Sequence, residues 1–352
     1  MNFNKAKIYL ITDAKERFYF TGFFSTAGYV MLSQNEETFV VDDRYFYAAK
    51  KQLTPKGINV ISGTGFGVLK EYAENRNVTT LGVDFGKITM ADYTKLTGEG
   101  FNLIDVADEI EKRMAVKTDE ELANIAKACA IAEKSFREAV AEIRAGMTER
   151  ELAAILEYRF KVNGASDKSF DTIVAFGSNS AVPHHETGET RLKNDVPVLI
   201  DFGCLYNGYC SDMTRTFYFG LPSREFSKAY DAVLSAHVKA YEEIRAGMIG
   251  SEADFIARNV IFEKGYSGYF THSLGHGIGV NIHEFPWVSP KANNVLDNGM
   301  VFSIEPGVYL NGKFGIRIED TVVMKNGRPQ TFMTETKDLC VFAGGKLKKY
   351  RQ

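Results

Sequence analysis

The chain has 352 residues, 45% hydrophobic, 25% charged and 12% aromatic, which excludes fibrous and disordered classes and leaves room for two packed domains. A formal net charge of −3 gives no electrostatic reason to expect nucleic acid, and the basic end Lys346, Lys348, Lys349, Arg351 is too short to change that. No segment approaches the roughly 18 uninterrupted apolar residues of a membrane span; the four cysteines (Cys129, Cys204, Cys210, Cys340) show no CxxC or disulfide-framework spacing, so the expectation is a soluble cytoplasmic protein with reduced thiols, bound to neither membrane nor nucleic acid.

The N-terminal apolar run in KAKIYLITDAK is too short, and too soon followed by charge, for a signal peptide or a span. Beyond it, strand-like stretches at 28–32, 38–41, 59–61 and 80–83 alternate with helical ones at 45–52 and 67–75, the pattern of a small α/β domain. The charged segment Lys112 to Glu121 then opens a helix, with Thr118 and Glu121 in capping-box spacing. The domain boundary is placed there, giving a first domain over 1–113 and a second over 114–352.

In the second region the hexapeptide EIRAGM occurs at 142–147 and again at 243–248, 101 residues apart. Each copy follows a long helical pattern (122–143; 226–244) and precedes a second one (149–162; 251–264). Matching order on both sides indicates duplication, hence two related halves with a cleft between them; two similar glycine-containing helix ends are the plainer alternative.

Chemistry-bearing residues sit on two strand pairs. In VPVLIDFGCLYNGYCSDMTRTFYFG, Asn207-Gly208 is a strong hairpin-turn signal. It pairs Tyr206 with Tyr209, sets Asp201 opposite Thr214, and leaves Asp201 and Asp212 on one face as diagonal neighbours about 7–8 Å apart. Two such carboxylates repel and lose hydration unless a divalent cation sits between them; an exposed, ion-free face is the other reading. Glu305 and Glu319 flank Asn311-Gly312-Lys313. A two-residue turn there sets Glu305 opposite Ile318, whereas a three-residue loop pairs Leu310 with Phe314 and sets the glutamates opposite each other. His276 lies between glycines, where backbone can approach a metal closely. His184, His185, His272 and His283 cluster near these pairs in sequence, leaving His237 apart. Oxygen-rich ligands with one imidazole and no thiolate suit Mn, Co, Fe or Zn in a catalytic role.

The stretches AFGSNSAVPHH, LIDFGCLYNGYCSDMTRTF, HSLGHGIGVNIHE, FSIEPGVY and GIRIEDTV, spread over about 150 residues, resemble the creatinase/methionine-aminopeptidase (M24, pita-bread) metallopeptidases, and within them the prolidase/aminopeptidase P group. The leading region with VVDDRYFYAAKK is similar to the smaller domain of that group. The fold implied is α/β (α+β): a creatinase-like N-terminal domain followed by a pseudo-twofold pita-bread catalytic domain.

The resemblance implies two divalent metal ions, Mn foremost, held by Asp201, Asp212, His276, Glu305 and Glu319, with Asp212 and Glu319 bridging. Glu305 would also serve as general base, His184, His272 and His283 would steady substrate and intermediate or carry protons, and Arg317 would support the ligands from behind. Tyr309 occupies the family's EPGxY position, where a packed strand aromatic is the alternative, and His185 has no role assigned. The activity implied is hydrolysis of the peptide bond before proline by a metal-bridging hydroxide, as an Xaa-Pro dipeptidase or aminopeptidase, in a homodimer. The alternatives are a creatinase-type C–N hydrolase, a methionine aminopeptidase (which lacks such a leading domain), and a non-catalytic partner-binding protein. The intact ligand set argues against the first and the last.

Overall fold

The computed structural model describes residues 5–350, so Arg351 of the basic tail lies outside the described residues. The chain divides into two compact units between Met114 and Ala115.

In the first unit a six-stranded sheet runs in the order Asn59–Ser62, Glu37–Val41, Tyr29–Leu32, Ile8–Ile11, Thr80–Val83, Asn102–Asp105. Tyr29–Leu32 pairs antiparallel with both neighbours, whereas Thr80–Val83 pairs parallel with Ile8–Ile11 and Asn102–Asp105. The strand Ile8–Ile11 is central and wholly buried. Its sequence, IYLI, has no polar alternation because neither face meets water, so a period-two reading passes over it.

The second unit is built from two helix pairs, Asp119–Ala141 with Glu149–Val162 and Arg224–Glu243 with Gly250–Glu263, and two five-stranded sheets. One sheet is centred on Met213–Phe219 and Val196–Phe202, the other on Val301–Ile304 and Asp320–Lys325. The Thr118/Glu121 capping box forms, and Thr148/Glu151 forms another at the second helix. Phe202 stacks on Phe136 at 5.1 Å and on Phe160 at 6.4 Å, tying both helices of the first half to its sheet.

The duplication is visible bond by bond. After the first EIRAGM, Gly146 N donates to Leu192 O and Leu192 N to Met147 O, both at 2.8 Å; after the second, Gly247 N donates to Leu296 O and Leu296 N to Met248 O, also at 2.8 Å. Both glycines sit at positive φ (83° and 92°), where a side chain would be strained. Each half therefore clips the start of its second helix to a returning loop in the same way.

Candidate active site

The first acidic hairpin has the register that its Asn-Gly turn implies: Asp201 opposes Thr214, and Tyr206 opposes Tyr209. Between these stretches no residue is gained or lost, but the ladder opens at Gly203. Its backbone lies so close to the partner strand that a Cβ would stand 1.9 Å from Ser211 O. Asp212 turns out of its own hairpin: its N–H donates to Thr321 Oγ1 (3.2 Å), whose hydroxyl donates back to Asp212 O (2.7 Å).

The second acidic pair opens in the same fashion. Leu310 pairs with Phe314 across the three-residue loop, and Ile304 pairs with Asp320, so Glu305 and Glu319 stand in opposed register. Their backbones bond elsewhere. Glu305 N donates to Leu274 O at 2.9 Å and Glu319 N to Thr214 O at 3.1 Å. The second bond joins the strands of the two halves at the point where their carboxylates meet.

Local chemistry orients each side chain. The His276 imidazole donates from Nδ1 to Gly277 O (3.2 Å), which leaves Nε2 with its lone pair 3.4 Å from Glu305 Oε1 and 3.6 Å from Asp212 Oδ2. Ser303 Oγ donates to Glu305 Oε1 at 3.0 Å, and Thr214 Oγ1 to Glu319 Oε2 at 2.6 Å. Arg317 reaches across both hairpins, donating to Asp201 Oδ2 (2.6 Å), Thr214 Oγ1 (3.0 Å) and Tyr309 Oη (2.7 Å). Tyr309 in turn bonds His272 Nε2 at 2.8 Å, so this aromatic is a polar link within the site rather than packing alone. His283 sits edge-on to His276, ring centroids 4.3 Å apart, and the exposed His184 lines the same cleft of about 790 Å³.

The expected residues are not equally gathered. Ligand atoms of Asp212, His276 and Glu319 lie within 4.8 Å of one another. Glu305 adjoins this trio through His276, whereas Asp201 is held by Arg317 and its buried Oδ1 has no hydrogen-bond partner. Burial, followed by the charge of Glu319, drives the Asp212 carboxyl well above its ordinary range. Burial and then Glu305 do the same to Glu319, and burial pushes Glu305 to about 8. His276 and His272 are pressed down to about 3, again first by burial. A cluster of carboxyls that cannot all ionise, beside an imidazole held neutral, fits divalent cations, because a cation replaces the protons the group otherwise retains. The orphaned Asp201 Oδ1 offers a further acceptor to the same end.

Ser303 and Thr321 carry no signal in the sequence, and Thr214 figures there only as a pairing partner without a role. Thr214 alone was signalled, since it stands opposite Asp201 in the hairpin register.

Residues 123–326 match the model of metallopeptidase family M24, and residues 1–114 that of the creatinase/prolidase N-terminal domain. The Xaa-Pro dipeptidase of Pyrococcus furiosus is 39% identical over 322 residues, covering 90% of this chain and 91% of that protein. The solved Xaa-Pro dipeptidase from Bacillus anthracis superposes with a TM-score of 0.91 at 35% identity, covering 96% of this chain and 95% of the other. The X-Pro aminopeptidase from Thermotoga maritima does so with a TM-score of 0.89 at 35% identity, covering 96% and 98%. Both matched regions and these full-length likenesses agree: the chain belongs to metallopeptidase family M24, with a creatinase/prolidase N-terminal domain before its pita-bread catalytic domain.

Proposed function

We propose that this metallopeptidase hydrolyses the peptide bond preceding proline, as an Xaa-Pro dipeptidase or Xaa-Pro aminopeptidase, with two divalent cations held by Asp201, Asp212, His276, Glu305 and Glu319. The observation that carries the reading is the convergence of these five side chains on one cleft also lined by His184, His272 and His283. The proline preference is supported by the activities named for the full-length relatives. Manganese is the first candidate, with cobalt, zinc and iron behind it, because the donors are mostly carboxylate oxygens. When bound, the cations would polarise the scissile carbonyl and lower the pKa of bound water.

The protein's own groups do the rest. Glu305, steadied by Ser303, takes the proton of the water whose oxygen bonds to the carbonyl carbon. His272 and His283 flank the developing oxyanion. As the C–N bond breaks, the proton passes to the imino nitrogen of the leaving proline, with His184 as the carrier at the cleft surface. Arg317 holds Asp201 and, through Tyr309, His272. A cytoplasmic homodimer is proposed as the working state; the four buried free cysteines support the compartment, and light scattering tests the dimer.

The test compares an Xaa-Pro dipeptide with Xaa-Pro-Yaa peptides after Mn, Co or Zn loading, alongside Asp212→Ala and Glu319→Ala. Cleavage before proline is expected from the parent, and less than two ions per chain from either variant. Cleavage of neither substrate class sinks the specificity reading, while full metal content in the variants sinks the ligand assignment.

A further inference from the structure

His185 is accounted for by a residue no motif contains. Glu149 opens the helix Glu149–Val162, directly after its cap Thr148, and its side chain is fully buried. Its Oε1 accepts from Phe176 N (2.9 Å) and Asn179 Nδ2 (2.8 Å). Its Oε2 accepts from Gly188 N (3.1 Å) and bonds His185 Nε2 (2.9 Å). Its two oxygens thus have four hydrogen-bond partners, about the capacity of a carboxylate.

All four partners come from one segment, residues 176–188, and His184 lies within it. The other side of the segment is held by the second half of the unit: Gly315 N donates to Ser180 Oγ at 2.8 Å, and Arg317 Nη1 to Pro183 O at 3.3 Å. His184 itself is exposed, so its place is set by the backbone of Pro183 and His185 on either side. The related half uses a parallel device. Asp254, buried near the start of the helix Gly250–Glu263, accepts from Leu274 N (2.9 Å) and from Arg258, and Arg258 donates to Phe270 O and His272 O at 2.8 and 2.9 Å. In each half, then, a buried carboxylate on the second helix grips the segment that carries a cleft histidine.

We infer that Glu149 and His185 are positioning residues that act through His184, fixing its imidazole over the reacting bond. This rests on the peptidase reading above. The test uses the full-length, metal-loaded protein. His185→Leu removes the donor to Glu149, whereas His185→Gln places an amide N–H where Nε2 stood. His185→Leu should lower kcat on the order of tenfold, as misplacement of a working group does, with KM and ion content unchanged. His185→Gln should stay within about twofold of the parent. In a His184→Asn background, His185→Leu should have no further effect on kcat, because its action passes through the residue already removed. Parent-like kcat in His185→Leu, losses that multiply in the double variant, or loss of ions in His185→Leu would each overturn the inference while leaving the peptidase reading intact. A parent protein that cleaves no Xaa-Pro peptide would bring down that reading, and this one with it.

Discussion

Thr214 lies where the two acidic strand pairs touch. Its carbonyl accepts from Glu319 N, its hydroxyl donates to Glu319 Oε2, and the same oxygen accepts from Arg317 Nε. A residue one atom different, Val, keeps the shape and removes both hydroxyl bonds. Thr214→Val should therefore weaken ion binding roughly 10–100-fold, the usual loss when a ligand's outer partner is removed, with far-UV circular dichroism unchanged. Calorimetric titration with Mn measures it, and parent-like affinity would show that Glu319 is positioned by its strand alone. Tyr309 makes the complementary case. Its hydroxyl is the only atom distinguishing it from Phe, and it joins Arg317 to His272. Tyr309→Phe should keep both ions and lower kcat about fivefold to tenfold, the equivalent of one hydrogen bond of about 1 kcal/mol. Lost ions in that variant would move Tyr309 from the substrate side of the site to the ligand side.

At the scale of strands, much of the site was legible because a turn sets a register and a register sets a face. Asn207-Gly208 implied the Asp201–Thr214 pairing without any tertiary information. The second turn left two options, and the choice of Leu310 with Phe314 falls to the packed structure. What no hairpin reading contains is that the ladders open at Asp212, Glu305 and Glu319, whose backbone N–H groups bond to Thr321, Leu274 and Thr214, distant in sequence. Glu149 was illegible for a different reason: a glutamate in the first turn of a helix is ordinary, and only tertiary burial makes it a hub. Glycine at 275 is an element-scale feature of the same site. A Cβ there would stand 2.0 Å from Ser303 O, so the strand bearing His276 packs on its neighbour only without a side chain. Gly275→Ala should destabilise the protein by about 1–3 kcal/mol, as overpacking does, and displace His276. The prediction is a joint loss in urea midpoint and Mn affinity; unchanged affinity would mean the strand gives way without carrying His276 with it.

At the scale of the molecule, two buried groups outside the site, one in each unit, respond to pH in opposite directions. In the first unit Glu16 is raised to about 9, by burial first and then by Asp84. A raised carboxyl keeps its proton when folded, so its contribution is complete below its ordinary value near 4.5 and is lost progressively as pH rises towards 9. In the second unit His237, buried with both ring nitrogens lacking a hydrogen-bond partner, is lowered to about 4 by burial. A lowered histidine stays neutral when folded while the unfolded chain takes up a proton, so stability falls as pH drops from 6.5 towards 4, by about 1.4 kcal/mol per pH unit at the steepest. Each unit has its own apolar cluster, which permits separate unfolding transitions. The chain's single tryptophan, Trp287, lies in the second unit and reports on it alone, whereas far-UV circular dichroism reports on both. In EDTA, moving from pH 7.5 to 5.5 should raise the midpoint of the dichroism change that tryptophan fluorescence does not follow, while the midpoint seen by fluorescence carries the loss from His237 against the gain from the raised carboxyls of Asp212, Glu305 and Glu319. Glu16→Gln should flatten the first trend, and His237→Leu should raise the fluorescence midpoint at pH 5.5 relative to that at pH 7.5, each without touching the other. Variants that leave both slopes as they are would show that the carboxyls and imidazoles of the active site, and not these two groups, govern the ion-free protein's response to pH.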